Sequence, residues 1–108
     1  MFEPEEWKTI PENNHYLISN YGRVKNQDTG YIRKLQIKES GGMGDLQIFL
    51  KAGGTHVICL VARLVAEAFL EGYDPRYSVV HQDADYSNNH ISNLIQDHSW
   101  VVRKPVRS

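Results

Sequence analysis

The chain has 108 residues, 41% hydrophobic and 23% charged, with 13 acids against 12 Lys and Arg for a formal net charge of −1; this size fits one domain, and the balance of charge excludes the global basic signature of a nucleic-acid binder. A single cysteine, Cys59, excludes an internal disulfide framework and a multi-cysteine zinc site, and its neighbours Val57-Ile58 and Leu60-Val61 make it a buried small hydrophobe. No apolar run approaches the ~18 residues of a membrane span and the start is acidic rather than signal-like, so a cytoplasmic chain with no membrane partner is expected.

Residues 1–14 are polar and acidic, with Trp7 and Ile10 as anchors. Tyr16-Leu17-Ile18-Ser19, the turn Asn20-Tyr21-Gly22 and Arg23-Val24-Lys25-Asn26 read as strand, turn, strand. Asp28-Thr29-Gly30 turns the chain into Tyr31 to Lys38, which alternates apolar and polar residues. Gly41-Gly42-Met43-Gly44 lacks the lysine and the strand-to-helix setting of a phosphate loop and reads as a hairpin turn or bulge. Asp45 to Lys51, with Leu46, Ile48 and Leu50 on one face, is the next strand, and Ala52-Gly53-Gly54 leads into a last one over Thr55 to Leu60. The first half is thus an antiparallel meander.

From Leu60 to Leu70 the period changes: Leu60, Leu64, Val65, Ala68 and Phe69 recur at helical spacing, and Gly72 follows as a stop. Tyr77 to His81 is a short strand, and Asp83 to Asn93 is a loop dense in Asp, Asn and Ser, whose side chains bond their own backbone. A second hairpin strand is expected over Gln96 to Val102, before the short basic tail Arg103-Lys104-Pro105-Val106-Arg107.

Two stretches carry more than composition. Glu6-Trp7-Lys8 followed by Tyr16 to Val24 resembles the small module found ahead of HNH nuclease domains in phage homing endonucleases. Arg63 to Phe69, Val79-Val80-His81-Gln82-Asp83, Asn88-Asn89 and Asn93-Leu94 together resemble the HNH domain itself. The expected fold is α+β: an antiparallel N-terminal β meander, one central helix and a reduced HNH hairpin. Residues 1–56 would be the nuclease-associated module and 57–108 the HNH-like module, the two sharing one compact unit.

The resemblance implies metal-assisted cleavage of a DNA phosphodiester, with a histidine as general base and a loop asparagine to orient it. Mapped onto this chain, His81 takes the base position and Asn93, twelve residues later, the orienting one. The metal positions depart from the family. Val80 stands at the first ligand, and the distal ligand falls on Val102 or, in a shifted register, on Val106. Ala84 replaces the family's glycine after the aspartate, and Ala62 the histidine before Arg-Leu-Val-Ala. A helix after Val102 would have six residues including a proline, against the about 12 that an isolated helix needs.

No cofactor is therefore expected, and the leading expectation is an HNH descendant that has lost cleavage and binds duplex DNA, or a host or phage protein as an inhibitor or regulator. The alternative is an active nickase using Mg²⁺ or Mn²⁺, with substitute ligands drawn from Asp83, Asp85, Asp97 or His98. A small-molecule substrate is not expected. Arg23, Lys25, Arg33 and Lys34 on neighbouring strands, with Arg63 on the helix, are the candidate DNA-backbone contacts. Asn88, Asn89 and Asn93 equally fit a plain structural role, satisfying loop backbone groups.

Overall fold

The computed structural model describes residues 3–11, 13–37 and 45–97. The first sheet is antiparallel, in the order β1 (Trp7–Ile10), β2 (Asn13–Ser19), β3 (Val24–Asn26). Strand alternation sets its faces. Ile18 and its direct partner Val24 are fully buried in the core, while Leu17 and its partner Lys25 lie on the other face, with Trp7. The β2–β3 turn is fixed by Ser19, whose Oγ accepts the backbone N–H groups of Tyr21 and Arg23 at 3.1 Å each.

The second sheet is also antiparallel, β4 (Gln36–Ile37), β5 (Leu46–Ala52), β6 (Thr55–Leu60). Gly53 and Gly54 make its two-residue hairpin turn at φ 56° and 86°, the left-handed pair that matches the twist of the flanking strands. Ile48 and Leu50 are buried as the alternation requires, and Phe49 and Ile58, paired across the hairpin, are exposed.

The sequence differs from this in three places. The single meander is two sheets, and β1 is a real strand rather than a lead-in carrying two anchors. Of the strand expected over Tyr31 to Lys38, the described residues 31–37 form a bridge between Ile32 and Lys25 and the two residues of β4, and Lys38 lies outside them. Of its apolar residues only Leu35 packs against the core, while Tyr31 and Ile37 are both more than 60% exposed. Gly41 to Gly44 lie outside the described residues.

Helix α1 (Val61–Phe69) follows β6 directly and buries Val61, Ala62, Leu64, Val65 and Ala66. It has no side-chain N-cap and no basic residue in its own last turn. Lys8 of β1 supplies that charge from outside, donating from Nζ to Ala68 O at 3.0 Å while standing over the Phe69 ring. Ile10, Ile18, Val24, Ile48, Leu50 and Leu94 close the core around the helix, so one apolar centre is built from every sheet. Cys59 is half-buried at its edge.

The last sheet is a hairpin of β7 (Ser78–His81) and β8 (Leu94–Asp97), with His81 opposite Leu94 and Val80 opposite Ile95. β8 begins two residues before the expected Gln96, because Leu94 is drawn into the core at 2% exposure. The side chain of Gln96 clamps the approach to β7, bonding the backbone of Asp74 in both directions and the Tyr77 carbonyl. The architecture is α+β. Among the described residues, no helix is long and apolar enough to cross a membrane.

Candidate functional site

Between β7 and β8 the loop from Gln82 to Asn93 makes its own backbone partners, as its Asp and Asn content requires. Asp83 is the hub: Oδ1 accepts the Asp85 N–H at 2.8 Å and Asn93 Nδ2 at 2.9 Å, and Oδ2 accepts Asn88 Nδ2 at 2.8 Å. These bonds, that from Asn88 foremost, hold the Asp83 carboxyl below its usual range. Asp85 in turn accepts from the N–H and hydroxyl of Ser87. The loop ends in a 3-10 turn, Ile91–Asn93, capped by His90, whose Nδ1 accepts the Ser92 N–H at 3.1 Å.

His81 stands at the mouth of this loop, half-buried. Its Nε2 lies 2.7 Å from Asn89 Oδ1, and its ring lies 5.1 Å from that of Tyr86. An amide oxygen at this distance suits a ring that carries its proton on Nε2 and leaves Nδ1 as the basic nitrogen. Asn93, expected to orient the histidine, instead turns its amide into the loop, donating to Asp83 and Asn88 O and accepting the Asp83 N–H. The amide against the ring is that of Asn89, which is 3% exposed. The motif names both asparagines but not which one reaches the ring.

A cleft of about 380 Å³ opens beside His81. Its wall carries Asp45, Arg63, Ser78 and Tyr86 together with Val80, so the structure brings the predicted Arg63 to the predicted His81. The remaining candidate cations divide between two faces. Arg23 and Lys25 flank the Trp7 ring at 5.6 and 4.1 Å, and Arg23 is also held bidentately by Glu5 at 2.5 and 2.9 Å. That pairing keeps the Glu5 carboxyl below its usual range. Arg33 braces the two sheets, donating to Phe49 O at 3.0 Å and covering Tyr16, whose register places it on the face opposite Lys25. Lys34 is exposed.

The HNH resemblance implies a divalent ion here, and the described residues do not fit one. Val80, at the first-ligand position, offers no donor atom. The Asp83 and Asp85 carboxylates are engaged in the loop. Among the described residues, no three of His, Cys, Asp and Glu gather in a way that could hold a metal. His98, Val102, Val106 and the basic tail lie outside the described residues.

A family model, the NUMOD4 motif, matches residues 5–60. The chain is 38% identical over 100 residues to the DNA endonuclease I-HmuI of Bacillus phage SP01, covering 92% of this chain and 53% of that protein. An uncharacterised HNH endonuclease of Acanthamoeba polyphaga mimivirus is 32% identical over 89 residues, 82% of this chain and 26% of its own length. A solved structure described as DNA binding and cleavage by the HNH homing endonuclease I-HmuI superposes with a TM-score of 0.76 at 35% identity, covering 94% of this chain and 59% of that one. The chain therefore spans about half the length of the first of these relatives and about a quarter of the second. With the NUMOD4 motif over residues 5–60 and a structural likeness to I-HmuI over 94% of its length, the chain belongs to the HNH homing-endonuclease family.

Proposed function

We propose that the chain binds duplex DNA as an HNH descendant in which metal-dependent cleavage has been lost. The observation that carries this reading is Val80. Directly before His81, where the family places its first metal ligand, stands a half-buried hydrocarbon paired across the hairpin with Ile95. A catalytic ion needs oxygen or nitrogen donors fixed beside the phosphate, and a valine at that point supplies none. Support for the DNA partner comes from the solved I-HmuI relative, which binds DNA, and from Lys25 over the Trp7 ring on the outer face of the first sheet. Cations beside an aromatic ring on a strand face suit a sugar-phosphate backbone.

A second reading, an active nickase, draws on the His81 ring. It is held by Asn89 with a basic nitrogen left over, the arrangement a general base requires. Supercoiled-plasmid nicking at low salt with Mg²⁺ or Mn²⁺, run beside His81→Ala, separates the two. The expected result is no nicking with either ion, and duplex binding that survives His81→Ala and weakens with salt. Nicking that disappears in His81→Ala would overturn the loss of cleavage in favour of the second reading. Absence of salt-sensitive duplex binding would overturn the DNA reading and direct attention to a host or phage protein partner.

A further inference from the structure

We infer that the N-terminal turn Asn20-Tyr21-Gly22 is part of the histidine site, with Gly22 seating Asn89 and Asn89 acting as the positioning residue for His81. Three independent contacts tie this turn to the loop. The Ile91 N–H donates to Asn20 O at 2.9 Å. The Tyr21 ring meets that of His90 edge-on at 4.4 Å, and His90 Nε2 pairs with Glu3 Oε1 at 3.3 Å. Gly22 is wedged against Asn89 itself: a Cβ added there would stand 2.8 Å from Asn89 Cβ and 3.5 Å from Val61 Cγ1.

The turn is rigid enough to act as a seat. Asn20 is 2% exposed and holds the segment leading into β1 through its whole side chain, accepting the Glu6 N–H and donating to Pro4 O. Gly22 is fixed at φ 88°, where any side chain is strained as well as obstructed. On the other side of this contact, Asn89 has no freedom to look elsewhere. Its Nδ2 is buried with no hydrogen-bond partner among the described residues, so the bond from His81 to Oδ1 is what its buried amide is held for.

The consequence is a defined tautomer. Asn89 Oδ1 holds the proton on Nε2 and shields it from water, while Nδ1 stays basic. This concerns the ring alone, and applies to a silent site and a cleaving one alike. The other polar groups along the cleft, Asp45, Arg63, Tyr73, Tyr77, Ser78 and Tyr86, are left unaltered in the variants below.

The test is ¹⁵N-resolved NMR of the histidine rings in the full chain, free of DNA and metal, at about pH 8, where an ordinary histidine is neutral. His81→Ala assigns the resonance. Wild type is expected to give an Nε2–H proton protected from exchange. Asn89→Asp, which keeps an oxygen towards the ring, retains that proton signal, whereas Asn89→Ala loses it. Gly22→Ala, by displacing Asn89, loses it too while the amide spectrum stays folded. Should Gly22→Ala not fold, the contrast between Asn89→Asp and Asn89→Ala still decides whether Asn89 positions the ring. A wild-type ring protonated on Nδ1, a protected Nε2–H that persists in Asn89→Ala, or one unchanged in a folded Gly22→Ala, would overturn the assignment. Neither outcome depends on DNA binding or nicking, so failure here is distinct from failure of the proposed function.

Discussion

Ala84 holds φ at 65°, a left-handed conformation that a Cβ disfavours by about 1–2 kcal/mol. The loop imposes it, because Asp83 on one side and Asp85 on the other are pinned by the same hydrogen bond from the Asp85 N–H to Asp83 Oδ1. In the sequence, the alanine stands where the HNH pattern has glycine, and the backbone keeps the glycine's shape without the glycine. Ala84→Gly removes the strain and gives back part of the gain as unfolded-chain entropy. The expected net effect is a stabilisation of about 0.5–1 kcal/mol, seen as a rise in Tm of about 2–8 °C by calorimetry. A lower Tm would mean that the loop does not hold this residue in the left-handed region.

At the scale of the element, the 82–93 loop stands on one carboxylate. The carboxyl of Asp83 lies below its unfolded value because Asn88, the Asp85 amide and Asn93 all bond its ionised form. The sign follows from that direction. The stabilisation is fully present above the unfolded value of about 4, and is lost as pH falls through the lower folded value. Glu5, held down by Arg23, adds to the loss in the same direction. Tm is therefore expected to decline in acid below about pH 5, with a shallower decline in Asp83→Asn, where one of the two groups no longer titrates. An identical acid profile in Asp83→Asn would show that the ionised Asp83 carboxylate contributes nothing to folded stability.

The same elements show what could be read from the residues and what could not. Helix α1 and the β5–β6 hairpin were legible because Leu64, Val65 and Ala68 repeat at helical spacing and two glycines sit between alternating runs. β1 was not, since Trp7 to Ile10 is short and half polar, and becomes a strand only by pairing with β2. The alternation after Tyr31 misled in the opposite way: only Leu35 reaches the core, and Tyr31 and Ile37 stay exposed. At the site, the HNH pattern put His81 at the end of a strand and its asparagines in the loop. Which amide meets the ring depends on Gly22, sixty-seven positions before Asn89, and spacing within a motif carries no information about such a contact.

Charge decides what the whole molecule does with DNA. With 13 acids against 12 Lys and Arg, long-range attraction is absent, and affinity must come from local phosphate contacts. Two of the five candidate cations contribute little: Arg23 is matched by Glu5, and Arg33 is committed to Phe49 O and Tyr16. If Lys25, Lys34 and Arg63 each meet one phosphate, the slope of log affinity against log salt is about −2.7, a loss of about 40-fold between about 50 and 200 mM. Lys25→Ala is expected to reduce that slope by about one, leaving a loss of about 12-fold over the same range, while Arg23→Ala changes it little. Fluorescence anisotropy on a short duplex measures both. A slope unmoved by Lys25→Ala would take the outer face of the first sheet out of the interface and leave the cleft around Arg63 as the contact.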